Sequence, residues 1–432
     1  MAPRSDPADG FVEPNRVEQL PPPGSEARQA LVRRQPISEG VIARAAEVLK
    51  RVRQGGDAAV RELTRQFDGV DVETTRVEPS QLQRALDAMP EELVVALRAA
   101  AEHIARVHGG QRFSEAPVSP APGVQVWRVW RPLSRVGIYV PGGRAPYPSS
   151  VLMMAVPARL AGCSEVVVCS PPGADGQVAP TILAAAALAG ATEVHAVGGV
   201  QAIGALAFGT ETIRPVEKIF GPGNVYVTAA KRLVFGEVAV DMPAGPSEVV
   251  VVTDGSVPAG WLAADLEAQA EHAPDAQAVL VSTSPELAQE VSRLLEPGVR
   301  SRVRIFSAPG LDSAIEFANE YAPEHLILAV DGAEEWLGRV TAAGSVFLGA
   351  YSPAAVGDYA TGANHVIPTG GMARSFNALG LEAFGHTLQV QELSPEGLEG
   401  LAPVARPIAE VEGFRHHWRS IEKRLPPAPP SA

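Results

Sequence analysis

The sequence predicts an α/β fold: two similar units of parallel sheet covered by helices, with a helical N-terminal region and a small C-terminal appendage. Short apolar runs alternate with helical stretches between residues 136 and 220, and the same alternation restarts between residues 248 and 348. Strands that alternate with helices form a parallel sheet covered on both faces. Glycine-rich turns follow several of the runs, and such turns often bind ligands in α/β proteins.

Helical spacing of apolar residues predicts the N-terminal region. Residues 41–68 carry two helices that Gly55-Gly56 separates, and Asp57 is the expected cap of the second. A third helix begins at Ser80, and a fourth follows Pro90.

Eight apolar runs are the expected strands of the two units. In the first unit they lie at residues 136–140, 166–168, 193–197 and 219–220, with helices at 149–160 and 181–188 between them. In the second unit they lie at residues 248–253, 278–281, 303–306 and 345–348. From about Gly371 the pattern is mixed, which indicates a small helical appendage.

Composition excludes several classes of protein. Lys and Arg total 36 against 49 Asp and Glu, and the net charge of −13 argues against non-specific binding to nucleic acid or anionic membranes. Cys163 and Cys169 lie in an apolar context, so we expect buried thiols; a catalytic thiol is the alternative. Residues 1–10 are polar and residues 181–191 are too short to span a bilayer, so we expect a cytoplasmic protein.

Two short motifs place titratable or metal-binding side chains together. In a helix, Gln269 and His272 would lie three residues apart on one face, where both can meet one ion; a surface or core histidine is the alternative. Glu324 and His325 follow Pro323 and precede an apolar strand, and both residue types serve as general bases. Neighbours in a regular strand point to opposite faces, so the pair shares one site only where the backbone is irregular. An exposed polar pair on a loop is the alternative.

Two further segments carry histidines. Residues 357–370 form a long loop dense in Gly, Asp and His after a strand, and loops held by a rigid sheet often carry sites. In the alternative, Asp358 only caps a turn. Near the C-terminus, Glu412 precedes the adjacent pair His416-His417, which is either part of a metal site or a solvated helix face.

Three glycine loops follow predicted strands: Pro141-Gly142-Gly143, Gly198-Gly199-Val200-Gln201 and Gly221-Pro222-Gly223-Asn224. None completes the dinucleotide fingerprint, because Tyr226 stands where the last of these loops needs a third glycine or alanine. No convincing ribose carboxylate follows it either. Motifs alone therefore support NAD binding only weakly.

The chain resembles the histidinol dehydrogenase family through a series of motifs in order. They are GDAAVRELTRQFDGV, RVGIYVPGGRAPYPSSVLMMAVPARLAGC, GPGNVYVTAAKR, DMPAGPSEVVVV, QAEHAPDAQ, YAPEHL, GDYATGANHVIPTGG and EGFRHH. They cover the chain from about Val41 to Arg424. The resemblance implies an NAD-dependent enzyme that oxidises L-histidinol through L-histidinaldehyde to L-histidine with two NAD, the last step of histidine biosynthesis.

The same resemblance assigns site residues. It implies one zinc ion per subunit, with the ligands Gln269, His272, Asp358 and His417. His417 is chosen over His416 because it keeps the family's spacing from Glu412-Gly413. Glu324 and His325 match the catalytic pair. The implied NAD contacts are Tyr139, Gln201 and Asn224. The implied substrate contacts are Ser247, Gln269, His272, His325, Asp358, His365, Glu412 and His417.

The resemblance also implies that the two α/β units are incomplete Rossmann-like parallel-sheet units, and it implies a domain division and a partner. Residues 1–33 are an N-terminal arm, and residues 34–138 with 248–370 are the main α/β domain with the catalytic and zinc residues. Residues 139–247 form a second Rossmann-like domain on the NAD side, and residues 371–432 a C-terminal dimerisation tail. We expect a homodimer in which Glu412 and His417 serve the partner's site.

Three alternatives stay open at this point. A zinc hydrolase, with Glu324 or His325 as the base for a metal-bound water, is compatible with the ligand set. A related dehydrogenase could oxidise another primary alcohol, such as a sulfonated diol; the motifs around Ser247, Gln269 and Glu412 favour histidinol. A catalytically inactive zinc protein would have lost its bases, and both are present.

Overall fold

The computed structural model describes residues 16–33, 36–111, 114–142, 145–242 and 245–426. The polar stretch 1–10 and Gly143 of the first glycine loop lie outside these residues. Within the described ranges, no helix has both the length and the apolar character needed to cross a membrane.

Helices and strands alternate along most of the chain. The strands are β1 Val17–Gln19, β2 Val124–Pro132, β3 Arg135–Tyr139, β4 Glu165–Ser170, β5 Glu193–Ala196, β6 Lys218–Phe220, β7 Ala239–Val240, β8 Glu248–Thr253, β9 Gln277–Ser282, β10 Val303–Ser307, β11 His325–Ala329, β12 Ser345–Leu348 and β13 Gly385–Leu393. The helices are α1 Glu26–Val32, α2 Glu39–Asp68, α3 Pro79–Asp87, α4 Glu91–Gly109, α5 Pro148–Ala161, α6 Pro180–Ala189, α7 Gly199–Phe208, α8 Val225–Val234, α9 Ala259–Ala270, α10 Pro285–Leu294, α11 Leu311–Tyr321, α12 Ala333–Leu337, α13 Ala354–Tyr359, α14 Pro395–Val411 and α15 Arg415–Glu422. Short 3-10 turns lie at Arg300–Arg302, Met372–Arg374 and Leu381–Phe384.

Two parallel sheets form the body of the protein. The five-stranded sheet has the order β5-β4-β3-β6-β7, and the six-stranded sheet has the order β1-β10-β9-β8-β11-β12. In the five-stranded sheet, β4 and β5 follow β3 on one side, and the chain then crosses to the other side, where β6 pairs with β3. In the six-stranded sheet, β9 and β10 likewise follow β8 on one side, and β11 then pairs with β8 on the other. The predicted pair of Rossmann-like units is confirmed.

The N-terminal helices pack on the five-stranded sheet's own helices. Helix α2 contacts α7 and α8, α3 contacts α6, and α4 contacts α5. The apolar faces of these helices are buried against the five-stranded unit. The grouping of residues 34–138 with residues 248–370 in one domain stays a prediction. Strand β3, within the same range, lies at the centre of the five-stranded sheet.

Helix α2 contains the predicted break. Gly56 has a left-handed φ of 50° with a ψ of −138°, so two helical segments meet there at a kink. Asp57 was the expected cap, but its carboxylate accepts a hydrogen bond from the Thr212 hydroxyl at 3.0 Å. Its backbone N–H donates to Glu211 Oε2 at 2.7 Å, so the kink is tied to the loop that follows α7.

Toward both ends of the chain lie strands that the apolar periodicity did not indicate. Strand β13 pairs antiparallel with β2 along all nine of its residues, from Gly385 opposite Pro132 to Leu393 opposite Val124. The C-terminal appendage is therefore part strand and part helix. At the other end, β1 extends the six-stranded sheet beside β10.

Both cysteines are buried thiols. Cys163 and Cys169 are free, and each belongs to one of the two apolar cores that flank the five-stranded sheet. Burial raises the pKa of Cys163 to about 11 and that of Cys169 to about 12. A thiol with such a pKa is not a thiolate near neutral pH, so the expected packing role is confirmed.

Candidate active site

The predicted catalytic pair lies at the amino end of the six-stranded sheet. His325 is the first residue of β11, and Glu248 is the first residue of the neighbouring β8. Ala322, just before the pair, has a φ of 51° and is the only non-glycine residue with positive φ in the described parts of the chain. This left-handed residue and Pro323 make the backbone irregular. Glu324 and His325 therefore reach the same site, with Glu324 Oε2 and His325 Nδ1 3.8 Å apart.

Burial shifts the protonation of both side chains. The pKa of Glu324 is raised well above its ordinary value, mainly by desolvation and further by the nearby charges of Glu248 and Asp358. The backbone N–H of Glu248 donates to Glu324 Oε2 at 2.8 Å, and the Ser247 hydroxyl is also hydrogen-bonded to Glu324. Desolvation lowers the pKa of His325 to about 4, although the charge of Asp358 opposes this shift. His325 is thus a neutral imidazole near neutral pH, and its Nδ1 has no hydrogen-bond partner.

Asp358 and His365 come from the loop predicted as a site. Asp358 Oδ1 lies 3.9 Å from His325 Nε2, and the backbone carbonyl of Asp358 accepts from His365 Nδ1 at 3.0 Å. Because Nδ1 of His365 carries the proton, Nε2 accepts from the Ser150 hydroxyl at 3.2 Å. Ser150 belongs to α5 of the five-stranded unit. The loop therefore connects the two units at the site.

Gln269 and His272 lie at the end of α9. The prediction placed both residues in one helix. Helix α9 ends at Ala270, so His272 lies in the following turn. Its N–H still bonds the Gln269 carbonyl at 3.3 Å, which keeps the two residues near each other. His272 is close enough to His325 and His365 that its charge would lower the pKa of both.

The donor atoms of this cluster fit a zinc ion. His272 Nδ1 lies 3.0 Å from the Ala268 carbonyl, which fixes the tautomer with the lone pair on Nε2. Gln269 is 4% exposed, and one end of its amide, Nε2, has no hydrogen-bond partner. The oxygen and nitrogen of an amide are assigned from such partners, so this end can equally be a ligand oxygen. Asp358 adds one carboxylate.

The fourth predicted ligand does not join this cluster within one chain. His417 and Glu412 are exposed, at the start of α15 and at the end of α14. Among the described residues, no group of three or more His, Cys, Asp and Glu side chains lies close enough to hold a metal ion. The tail strand β13 packs on β2.

The predicted NAD contacts lie at the carboxyl end of the five-stranded sheet. Tyr139 ends β3, and its hydroxyl accepts the N–H of Gly199 at 3.2 Å. Burial raises the pKa of Tyr139 to about 12, so its phenol keeps the proton. Gln201 is buried, and its Oε1 has no hydrogen-bond partner. Asn224 Oδ1 caps α8 by accepting the N–H groups of Tyr226 and Val227.

The strand order of the five-stranded sheet reverses direction between β3 and β6 at this edge. Strands β3 and β6 are neighbours, but the chain leaves them in opposite directions, toward β4 and toward β7. In open α/β sheets, ligands bind at such a reversal, outside the carboxyl ends of the strands. Tyr139 and Gly221 lie at the carboxyl ends of these two strands.

Sequence patterns missed one carboxylate in this region. Asp68, the last residue of α2, accepts a hydrogen bond from Gln201 Nε2 at 3.4 Å, and burial raises its pKa. The Rossmann fingerprint places a ribose carboxylate after the glycine loop, and no convincing one follows Gly221. Asp68 comes instead from an N-terminal helix, and its position in the sequence carries no signal that it lies beside Gln201.

Comparison with known proteins decides the family. A family model described as histidinol dehydrogenase matches residues 31–425. The chain belongs to the histidinol dehydrogenase family. It is therefore an NAD-dependent dehydrogenase, as its motifs had implied, and the zinc hydrolase alternative falls away.

Individual relatives cover nearly the whole chain. Histidinol dehydrogenase of Methanothermobacter thermautotrophicus is 44% identical over 400 residues, which cover 90% of this chain and 94% of that protein. Histidinol dehydrogenase of Archaeoglobus fulgidus is 44% identical over 395 residues, which cover 91% and 98%. A crystal structure of histidinol dehydrogenase from Elizabethkingia anophelis superposes with a TM-score of 0.91 at 36% identity and covers 96% of this chain and 98% of its own.

Proposed function

We propose that this protein oxidises L-histidinol through L-histidinaldehyde to L-histidine, with two NAD per turnover, as the last step of histidine biosynthesis. The observation that carries the proposal is the buried pair of Glu324 and His325 beside Asp358 and His365. These four side chains lie where the loop 357–370 meets α5, next to a unit with a nucleotide-binding topology. One base for an alcohol proton and a second base for water are the groups that a four-electron oxidation needs.

His325 serves as the base in both oxidations. Because its pKa is lowered to about 4, the ring is neutral and can accept the hydroxyl proton of the alcohol. His325 is the first residue of β11 and is paired with β8 on one side and β12 on the other, which fixes its backbone at the amino end of the sheet. The same ring accepts the proton of the hydrated aldehyde in the second oxidation.

Glu324 serves as the base for aldehyde hydration. A carboxylate with a raised pKa takes a proton from water more readily than an ordinary glutamate does. Hydrogen bonds from the Glu248 N–H and the Ser247 hydroxyl orient the carboxyl, so it can be aimed at one face of a bound aldehyde. His365 and Ser247 are the proposed contacts to the substrate on this side of the site.

NAD would be held by Tyr139, Gln201 and Asn224 at the carboxyl ends of β3 and β6 and the start of α7. When bound, it accepts the hydride that leaves the carbon of the alcohol or of the hydrated aldehyde. The buried and unpartnered Gln201 Oε1 offers a polar group for a nucleotide at this edge.

Zinc would be held by Gln269, His272 and Asp358 of one subunit and by His417 of the other. One anionic and three neutral ligands leave the ion with a net positive charge, so it can bind and orient the amine and imidazole nitrogens of the substrate. Wild-type protein purified without chelator and analysed by atomic absorption should contain about one zinc per subunit.

A homodimer with shared sites would bring the tail to the site. Four apolar side chains on the tail are half exposed or more: Val404 59%, Ile408 54%, Val411 90% and Phe414 50%. Three aromatic side chains on α9, on α13 and just before α13 are also exposed: Trp261 45%, Tyr351 87% and Tyr359 63%. We propose that the tail of the partner subunit covers this aromatic patch and presents Glu412 and His417 to the site.

Mixing two inactive variants tests the shared site. One variant carries His325→Ala in the body, and the other carries His417→Ala in the tail. In a mixed dimer with shared sites, one site has both defects and the other has none, so activity returns at up to half of the wild-type sites. If mixed dimers form and stay inactive, each tail serves its own body.

A direct spectrophotometric assay of NADH formation tests the reaction. Addition of L-histidinol and NAD to the purified protein should produce NADH, two for each histidine formed. A sulfonated diol serves as the competing substrate. NADH from the diol and none from histidinol would overturn the proposed substrate.

We also propose the cytoplasm as the compartment, since both cysteines are free thiols.

A further inference from the structure

A buried ion pair lies beneath the glycine loop that follows β6. Lys231 belongs to α8, and Asp241 follows β7 directly. Their side chains are 2% and 1% exposed, and Lys231 Nζ contacts Asp241 Oδ1. Neither residue carries any of the steps proposed above.

Both side chains bind the backbone of the same residue, Gly221. Lys231 Nζ donates to the carbonyl of Gly221 at 2.9 Å, and Asp241 Oδ2 accepts the N–H of Gly221 at 2.7 Å. Asp241 Oδ1 also accepts the N–H of Met242 at 2.6 Å. The two polar backbone groups of Gly221 are thus bonded to side chains instead of to a strand or helix.

Gly221 has a conformation that needs such support. Its φ is +120°, and a Cβ at this position would lie 2.0 Å from the carbonyl oxygen of Tyr139. The loop therefore passes directly against the end of β3, where Tyr139 is a proposed NAD contact. Three residues later, Asn224 starts α8 as its cap. The conformation of Gly221 consequently sets where Asn224 and the start of α8 lie relative to Tyr139.

A buried ion pair is a poor device for stability alone. Removing two charges from water costs free energy, and replacement of such a pair by apolar side chains of similar size is often neutral or stabilising. Removal of only one partner is strongly destabilising, because the other charge is then buried without compensation. The hydrogen bonds to Gly221, in contrast, cannot be made by apolar residues.

We propose that Lys231 and Asp241 are positioning residues that hold the loop 221–224 in the conformation that receives NAD. This inference rests on the proposed NAD site at the carboxyl ends of β3 and β6. The pair acts through Gly221 and Asn224 and does not itself contact the reacting atoms.

The double variant Lys231→Met/Asp241→Leu removes both charges together. Its Kd for NAD by isothermal titration and its KM for NAD should each rise at least tenfold. The KM for histidinol should stay within about threefold of wild type, because the substrate side of the site is on the other sheet. The melting temperature should fall, because the N–H and the carbonyl of Gly221 lose their partners, but by less than in either single variant, which leaves one charge buried without its partner.

A second double variant controls for the loss of an ion pair that has one buried partner and lies away from the loop, since Glu320 is 35% exposed. Arg28 is 1% exposed and donates to Glu320 at 2.7 Å in the six-stranded unit. The variant Arg28→Met/Glu320→Gln should leave the Kd for NAD unchanged. A change as large as that of the Lys231/Asp241 variant would show a general effect of packing and overturn the proposal.

Two further results would overturn it. The first is a folded Lys231→Met/Asp241→Leu protein with the wild-type Kd for NAD. If this variant does not fold, Lys231→Met/Asp241→Asn decides, because it also removes both charges and loses the donor to the Gly221 carbonyl, while the amide keeps an acceptor for the Gly221 N–H; a wild-type Kd for NAD in that variant is the second. A wild-type protein that binds NAD but does not oxidise histidinol would instead refute the proposed substrate and leave this titration valid.

Discussion

Replacement of Glu324 by Gln should separate the two oxidations. The amide has the size of the carboxyl and keeps an oxygen that can accept the Glu248 N–H, which lies 2.8 Å from Glu324 Oε2. It also removes a carboxyl whose charged form is disfavoured by burial, as the raised pKa of Glu324 shows. The variant is therefore expected to fold and to melt at or above the wild-type temperature.

The loss should fall on the second oxidation. A general base contributes about two to four decades of rate, or about 3–5 kcal/mol of activation free energy. Without Glu324, hydration of L-histidinaldehyde loses this contribution. Oxidation of histidinol to the aldehyde uses His325, whose Nδ1 is 3.8 Å from Glu324 Oε2, too far for a hydrogen bond. That step should therefore slow less than about tenfold.

Single-turnover formation of NADH measures each oxidation separately. Enzyme in excess is mixed with NAD and either L-histidinol or L-histidinaldehyde, and the first burst of absorbance is followed. A His325→Gln variant is the matched control and should slow both reactions. Equal losses for the two substrates in the Glu324→Gln variant would refute this division of roles.

Further predictions concern metal, thiols and pH. A chelator should abolish turnover and leave the circular dichroism spectrum unchanged, since the body has large apolar cores of its own; unfolding on chelation would contradict this. The double variant Cys163→Ala/Cys169→Ala should keep the wild-type rate of the chemical step and lose only stability, measured by urea unfolding; a folded variant that loses several decades of rate would revive a thiol mechanism. Glu193 has its pKa lowered to about 2, mainly by its hydrogen bond to Arg135, so its contribution to stability is present above the ordinary value of 4.5 and is lost as the pH falls from there toward 2. The gap in unfolding free energy between wild type and Glu193→Gln should then shrink by roughly 2–3 kcal/mol across that range; a gap independent of pH would argue against the ion pair.

Local pattern was sufficient for the fold class and for most of the helices and strands of the two sheet units. Apolar runs bounded by turns located β4, β8 and β9, and the glycine pair located the kink at Gly56. These features depend on residues that are adjacent in the chain, where side-chain periodicity and the φ range of glycine decide the conformation. The apolar surroundings of Cys163 and Cys169 likewise predicted their burial.

Long-range packing decided which elements share a surface. Helices α2–α4 bury their apolar faces on the five-stranded unit, and β13 finds its hydrogen bonds on β2, far away in the sequence. No local pattern states which of several apolar surfaces a helix will cover, because burial is non-directional. The same reason hid Asp68, which reaches Gln201 from the end of α2.

The geometry of the site also required the tertiary structure. The sequence contained Glu324, His325 and Asp358, and the family motifs related them, but their relation in space depends on the left-handed Ala322 and on the loop that His365 ties to Ser150. The ion pair of Lys231 and Asp241 is visible only where α8 and the end of β7 meet beneath Gly221. Residue types and spacing determined what chemistry the chain can perform. Packing between distant segments decided where those residues meet, because each hydrogen bond and buried charge is satisfied by a partner that the sequence does not place nearby.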